Sequence, residues 1–321
     1  MKRTIRVFPG RSHQSLTREI CDVLDVPIGR VDIRKFKNDN SFVQIHESVR
    51  KMDCFVVQPS CAPVNDGLVE TFLMMDALVR ASASSITVVV PYFPYGRSDK
   101  KDQPRIPISA SLVARLLEAA GADRILTMDL HAEQIQGFFR IPVDQLRAAP
   151  VICRYFREKE LDGLVAVAPD AGSARRTADY AKRLSIPMAI LDKRRSGNDD
   201  RAHVVNVIGD VDGMAAILFD DEVSTGGSIL SAAEALKKAG ATRVFAAVTH
   251  AVLCDGALER IKNSELEELV VTNTLPIGPE AASARVTVLS VGSLLAKAIA
   301  RIYRGDSLNE LFTESAERAA P

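Results

Sequence analysis

Short apolar runs alternate with helix-period segments from one end of the chain to the other. Runs at Ile5–Phe8, Val31–Phe36, Cys54–Gln58, Ile86–Pro91 and Ile125–Leu130 predict strands. Further strands are predicted at Leu164–Val167, Met188–Leu191, Val204–Val207, Ala215–Phe219, Val244–Thr249, Leu269–Thr272 and Val286–Val291. Between many of them lie patterns with helical spacing, such as Asn65–Ala81, Ser109–Ala120, Gly172–Leu184 and Gly227–Ala239. Continuous apolar runs suit strands covered on both faces, and their alternation with helices predicts an α/β protein with mainly parallel sheets.

An internal echo sets the domain count. Ala120-Gly121-Ala122-Asp123-Arg124-Ile125-Leu126 is matched by Ala239-Gly240-Ala241-Thr242-Arg243-Val244-Phe245. In each copy a glycine closes a helix, a strand follows, and a histidine stands beyond it, His131 and His250. This order predicts two similar doubly wound domains, 1–147 and 148–304, joined near Pro142–Pro150. A final helix is expected at Ser293–Arg304, followed by a polar tail.

Composition narrows the function classes. Lys+Arg and Asp+Glu number 41 each in 321 residues, so no net charge draws the chain to nucleic acid or an anionic membrane. No apolar run approaches membrane-spanning length. The five cysteines, Cys21, Cys54, Cys61, Cys153 and Cys254, form no C-x-x-C pair. Scattered thiols of this kind suit a reducing, cytoplasmic setting.

Polar chemistry gathers just after the predicted strands, where open α/β sheets bind ligands. The strongest stretch is Ala216–Ser228, AILFDDEVSTGGS. A strand ends in Asp220 and Asp221, and the turn Ser224-Thr225-Gly226-Gly227-Ser228 opens a helix. Such a turn offers N–H groups and hydroxyls to an anion at the positive end of a helix. Carboxylates beside a phosphate need sugar hydroxyls, a divalent cation, or both between them. The stretch therefore asks for a phosphorylated sugar with a metal.

Four other segments carry candidates. Pro91–Asp102, PYFPYGRSDKKD, is an ordered loop whose aromatics suit a base and whose Arg97, Lys100 and Lys101 suit phosphates. Asp129-Leu130-His131 places a histidine after a buried strand, as a metal ligand, a phosphate donor or a structural residue. Ala168–Arg176 joins a strand-end carboxylate, Asp170, to a small-residue turn suited to a metal-bound phosphate chain; it lacks G-x-G-x-x-G. Asp192–Arg201 is a charged, glycine-bearing segment between two strands, suited either to closing over phosphates or to a solvated hairpin.

These stretches, in order and spacing from about Ile5 to Phe312, resemble the ribose-phosphate pyrophosphokinases, also called phosphoribosyl pyrophosphate synthetases. The resemblance implies two phosphoribosyltransferase-type domains, with the tail 305–321 packing back on the first, and homo-oligomers from dimer to hexamer. It also implies transfer of pyrophosphate from Mg-ATP to the 1-hydroxyl of ribose 5-phosphate. By position, Ser224, Thr225, Gly226, Gly227 and Ser228 would hold the 5-phosphate. Asp220 and Asp221 would hold ribose hydroxyls and a second Mg²⁺, and His131 and Asp170 the Mg²⁺ carried by ATP. Arg97 and Asp99 match the ATP loop, and Phe36 and Asn38 a segment that packs on adenine from a neighbouring subunit. Lys193 and Arg195 match the pair that stabilises the transition state, with His131 counted among the catalytic residues.

The sequence departs from the family pattern in places. Ser224 stands where most members carry aspartate, giving the DDxxSTGG form. Ser98 and Asn40 replace a usual glutamine and glutamate near the nucleotide. The regulatory site is matched only in part, by Ser48, Arg50, Arg105 and Ser307, which implies altered phosphate activation and ADP inhibition. Two other readings remain: a phosphoribosyltransferase that consumes phosphoribosyl pyrophosphate, and a non-catalytic regulatory paralogue. The first leaves Arg97 and His131 without work, and the second conflicts with an intact set of charged residues.

Overall fold

The computed structural model describes residues 4–194 and 203–312. The chain divides into two compact units, Met1–Arg147 with Thr274–Pro276 and Val291–Pro321, and Ala148–Asn273 with Ile277–Ser290.

In the first unit the elements run β1 (Thr4–Pro9), α1 (Gln14–Leu24), β2 (Val31–Lys35), β3 (Ser41–Ile45), β4 (Met52–Val57), α2 (Val64–Arg80), β5 (Ser85–Val90), α3 (Ser109–Ala119), β6 (Arg124–Met128) and β7 (Val143–Leu146). Strands β1, β4, β5, β6 and β7 form one sheet in that order, every neighbouring pair parallel. Its core holds Phe8, Val56, Met74, Leu78, Val88 and Ile125, all at most 2% exposed. Strands β2 and β3 make a separate antiparallel hairpin. Lys35 fastens it, reaching Asp39 at 2.8 Å and Asp66 of α2 at 2.7 Å.

The second unit runs α4 (Ala149–Glu158), β8 (Leu164–Ala168), α5 (Ala174–Leu184), β9 (Met188–Arg194), β10 (His203–Ile208), β11 (Ala215–Val223), α6 (Gly227–Lys238), β12 (Arg243–Ala251), α7 (Ala257–Lys262), β13 (Glu268–Thr272) and β14 (Val286–Leu289). Its seven strands are ordered β10-β9-β8-β11-β12-β13-β14. Only β9 and β10 pair antiparallel. From β8 the chain steps outward to β9 and β10, then returns to lay β11 on the other side of β8. The order reverses between β8 and β11, which makes their carboxyl ends the crevice of a doubly wound sheet.

The echo in the sequence is an echo in structure. Gly121 and Gly240 take φ of +108° and +95° between α3 and β6 and between α6 and β12. The two histidines diverge because β12 is the longer strand. His250 stays within it and is 2% exposed, whereas His131 stands beyond the end of β6 and is exposed.

Near Pro142–Pro150, β7 pairs with β6 and α4 starts at Ala149. The final helix, α8 (Gly292–Arg304), belongs to the first unit, whereas the second domain was expected to run through residue 304. Its apolar face packs on α1, and a Cβ on Gly292 would lie 2.4 Å from the Glu19 Cδ of α1. Strands β3 and β7 carry mixed, half-buried sequences rather than apolar runs, which hides them from a pattern search.

Candidate active site

The first unit gathers its candidates at the carboxyl ends of β5 and β6. The Pro91–Asp102 loop follows β5, and Asp129-Leu130-His131 follows β6. A Cβ on Gly96 would lie 3.8 Å from the His131 Cβ, so the loop and the histidine are neighbours. Arg97 and His131 are both exposed. Asp99 turns inward: it is 8% exposed and accepts a 2.5 Å hydrogen bond from Gln134 Nε2. The aromatics divide. Phe93 is 3% exposed and packs edge-on against Phe139 at 5.9 Å, so it belongs to the core and not to a base-stacking surface. Tyr95 is exposed, and its hydroxyl donates to Asn65 at 2.5 Å. Phe36 and Asn38 lie apart, in the connection between β2 and β3. Phe36 is 49% exposed, with its ring 5.5 Å from Phe42.

The second unit brings Asp170, Asp220, Asp221 and the Ser224–Ser228 turn to the crevice between β8 and β11. Strand alternation explains how Asp221 is held. Phe219 and Asp221 share one face of β11, and Arg176 and Tyr180 share one face of α5. Tyr180 stacks on Phe219 at 4.1 Å, and Arg176 Nη1 meets Asp221 Oδ1 at 2.9 Å. The same guanidinium nitrogen is 3.9 Å from Asp220 Oδ1. Asp221 is 5% exposed, so this pair lies largely out of water.

One guanidinium does not balance two carboxylates. Burial pushes the Asp220 carboxyl up to about 8, with the hydrogen bond and charge of Asp221 adding to the rise. The backbone N–H of Asp221, which donates to Asp220 Oδ1 at 2.9 Å, and the charge of Arg176 offset part of it.

Asp170 caps the turn that opens into α5. Its Oδ1 accepts from Ser173 N at 2.9 Å, while Ser173 Oγ donates to the Asp170 carbonyl at 2.9 Å. Asp170 is exposed.

The turn after β11 is built for an anion. Gly226 takes φ of +83°, a region open to glycine at little cost, and Leu230 N donates to its carbonyl at 2.9 Å to start α6. The first turn of α6 contains no acidic residue, and Lys237 and Lys238 close its far end. Thr225 and Ser228 are exposed. Ser224 Oγ lies 3.1 Å from Cys254 Sγ, a contact in which either atom can donate.

Lys193 lies in β9, its Cα paired with that of Val204 in β10. Arg195 lies outside the described residues. Sequence reasoning missed Arg176. The usable signal was its spacing of four from Tyr180 on α5, facing Phe219 and Asp221 spaced by two on β11.

Residues 5–121 match the family model for the N-terminal domain of ribose phosphate pyrophosphokinase. Residues 198–313 match the phosphoribosyl synthetase-associated domain. A ribose-phosphate pyrophosphokinase of Clostridium acetobutylicum is 46% identical, covering 97% of this chain and 98% of its own. One from Clostridium perfringens is 47% identical, with 97% and 98% covered. The crystal structure of a phosphoribosylpyrophosphate synthetase from Mycobacterium smegmatis superposes with a TM-score of 0.89 at 43% identity, covering 94% of this chain and 100% of that one.

Proposed function

Because the chain belongs to the ribose-phosphate pyrophosphokinase family, we propose that it transfers the β,γ-pyrophosphoryl group of ATP to the 1-hydroxyl of ribose 5-phosphate. The products are 5-phosphoribosyl 1-pyrophosphate and AMP. The chain is an enzyme built from two tandem phosphoribosyltransferase-type domains. The observation that carries the reading is the crevice of the second unit, where a paired-carboxylate strand end runs into an anion-ready turn.

In the proposed arrangement the Ser224–Ser228 turn takes the 5-phosphate and Asp220 and Asp221 take the ribose hydroxyls. Arg97 serves ATP from its exposed loop, and Asp99 holds that loop through Gln134. Phe36 and Asn38 would pack on adenine from a neighbouring subunit in a homo-oligomer, and the exposure of Phe36 supports that role. Lys193 and Arg195 would neutralise charge on the group in flight, where positioning and cationic stabilisation supply most of the catalysis.

The donor set fits a divalent cation, proposed as Mg²⁺. Carboxylate oxygens are hard ligands, and Asp220 and Asp221 stand side by side toward the end of β11. By the family pattern Asp220 and Asp221 would hold one cation with the ribose hydroxyls, and His131 and Asp170 would serve the cation that ATP carries. A bound cation supplies charge neutralisation at the phosphates and acidifies a coordinated hydroxyl. The proposed setting is cytoplasmic, which five free cysteines support. Among the described residues, no helix is long and apolar enough to cross a membrane.

Asp220 gives a pH prediction. Its folded pKa lies above that of the unfolded chain, so stability is greatest at low pH and falls as pH rises from about 4 through about 8. Without divalent cation, the melting temperature is expected to decline across that window, and Asp220→Asn should flatten the decline. Added Mg²⁺ should raise the melting temperature more at pH 8.5 than at pH 6. Equal cation effects at both values would contradict the assignment.

The function is tested by incubating the protein with ribose 5-phosphate and Mg-ATP and separating the nucleotides. AMP should accumulate in step with phosphoribosyl pyrophosphate. Failure to form AMP, with phosphoribosyl pyrophosphate consumed in the presence of a base, would establish a phosphoribosyltransferase instead.

A further inference from the structure

The turn after β11 is braced on one side by the segment that follows β12. Val252 N and Leu253 N donate to the Val223 carbonyl at 2.9 and 3.1 Å. Cys254 N donates to the Ser224 carbonyl at 3.2 Å. Arg260 of α7 then places Nε and Nη2 on the Thr225 carbonyl at 3.1 and 2.9 Å. Three successive carbonyls are thus drawn toward one segment.

A trans peptide is planar, with its C=O and N–H pointing in opposite directions. Holding the carbonyls of Val223, Ser224 and Thr225 on one side therefore turns the N–H groups of Ser224, Thr225 and Gly226 to the other. Among the described residues these three N–H groups have no protein acceptor. They form a concave row of donors, the arrangement that binds a phosphate dianion. The first two carbonyls are held by backbone, but the third depends on one side chain. Gly226, at φ of +83°, is the residue with most freedom to let that peptide rotate.

We propose that Arg260 is a positioning residue for the phosphate turn: its guanidinium fork fixes the Thr225–Gly226 peptide so that Gly226 N–H faces the bound 5-phosphate. The inference rests on the reading of this turn as the 5-phosphate site and adds a residue of the β12–α7 side to it. Arg260 is exposed and sits on a short helix, so its removal leaves the core untouched.

The test compares wild type with Arg260→Ala and Arg260→Lys in the full chain. Ribose 5-phosphate binding is measured by calorimetry alongside kcat and both KM values. Arg260→Ala should weaken ribose 5-phosphate binding about tenfold, the loss of roughly one good hydrogen bond to the ligand. KM for ATP and the melting temperature should stay near wild type. Arg260→Lys keeps the charge but offers one contact in place of a fork, and should recover only part of the affinity. Unchanged ribose 5-phosphate binding in Arg260→Ala would overturn the proposal, as would full recovery in Arg260→Lys, which would show that charge alone matters. A fall in melting temperature with all kinetic constants shifting together would also overturn it. Wild type that binds ribose 5-phosphate without releasing AMP would overturn the functional reading and leave the Arg260 comparison valid, because binding is read directly.

Discussion

Replacing Lys193 and Arg195 together with alanine is expected to lower kcat by about three orders of magnitude or more, with ribose 5-phosphate affinity nearly intact. The group that moves is a pyrophosphate carrying several negative charges, and charge on its bridging and leaving oxygens grows as the bond to AMP breaks. Cations that meet this charge chiefly in the transition state raise kcat without tightening the ground state. Lys193 sits in β9, beside β8, whose carboxyl end carries Asp170, and the chain returns through β10 in antiparallel pairing. Single replacements should each cost a large part of the full loss, because the two charges act on one group. Steady-state kinetics with direct measurement of ribose 5-phosphate binding checks this. An unchanged kcat would remove the pair from catalysis.

Arg176→Ala is expected to destabilise the protein by about 3–5 kcal/mol, the range for removing one partner of a buried ion pair. The lower half of that range is the better expectation, because the Arg176 side chain keeps 19% exposure and water screens part of the interaction. The loss arises on the other side of the pair. Asp221, 5% exposed in the wild type, would lose the guanidinium that meets it at 2.9 Å while keeping Asp220 as its neighbour. Asp221→Asn in the Arg176→Ala background removes the carboxylate charge that Arg176 meets and should return part of the stability, so the double variant should fall short of the sum of the singles. Mg²⁺ should rescue Arg176→Ala more than wild type, since it supplies the missing charge. Chemical denaturation of the four proteins decides it: strictly additive losses would show that Arg176 and Asp221 are not coupled.

Much of the fold is legible in the sequence because parallel strands covered on both faces must be apolar throughout. The runs at Cys54–Gln58, Ile86–Pro91 and Ala215–Phe219 mark β4, β5 and β11 for that reason. Gly121 and Gly240 mark helix ends because both take positive φ. The allegiance of α8 is not legible, since it is decided by contacts with α1 and by Glu19, far away in sequence.

The site divides in the same way. Asp220, Asp221 and Ser224–Ser228 stand in one short stretch, where a strand, a glycine turn and a helix leave a local signature. Arg176 and Arg260 act on that stretch from α5 and α7, through an ion pair and a carbonyl contact that no local pattern encodes. Phe93 reads as a stacking aromatic and proves to be core, because composition gives the ring but not its direction. The Ser224 Oγ–Cys254 Sγ contact at 3.1 Å spans thirty residues and is likewise invisible to a local pattern.

The most direct measurement follows both transferable phosphates of ATP by phosphorus NMR during turnover with ribose 5-phosphate and Mg²⁺. The account predicts that the β and γ phosphorus atoms move together to the 1-position of the sugar, with AMP formed in equal amount. ADP together with a sugar bisphosphate carrying a single phosphate at the 1-position, or ATP left unchanged, would contradict it.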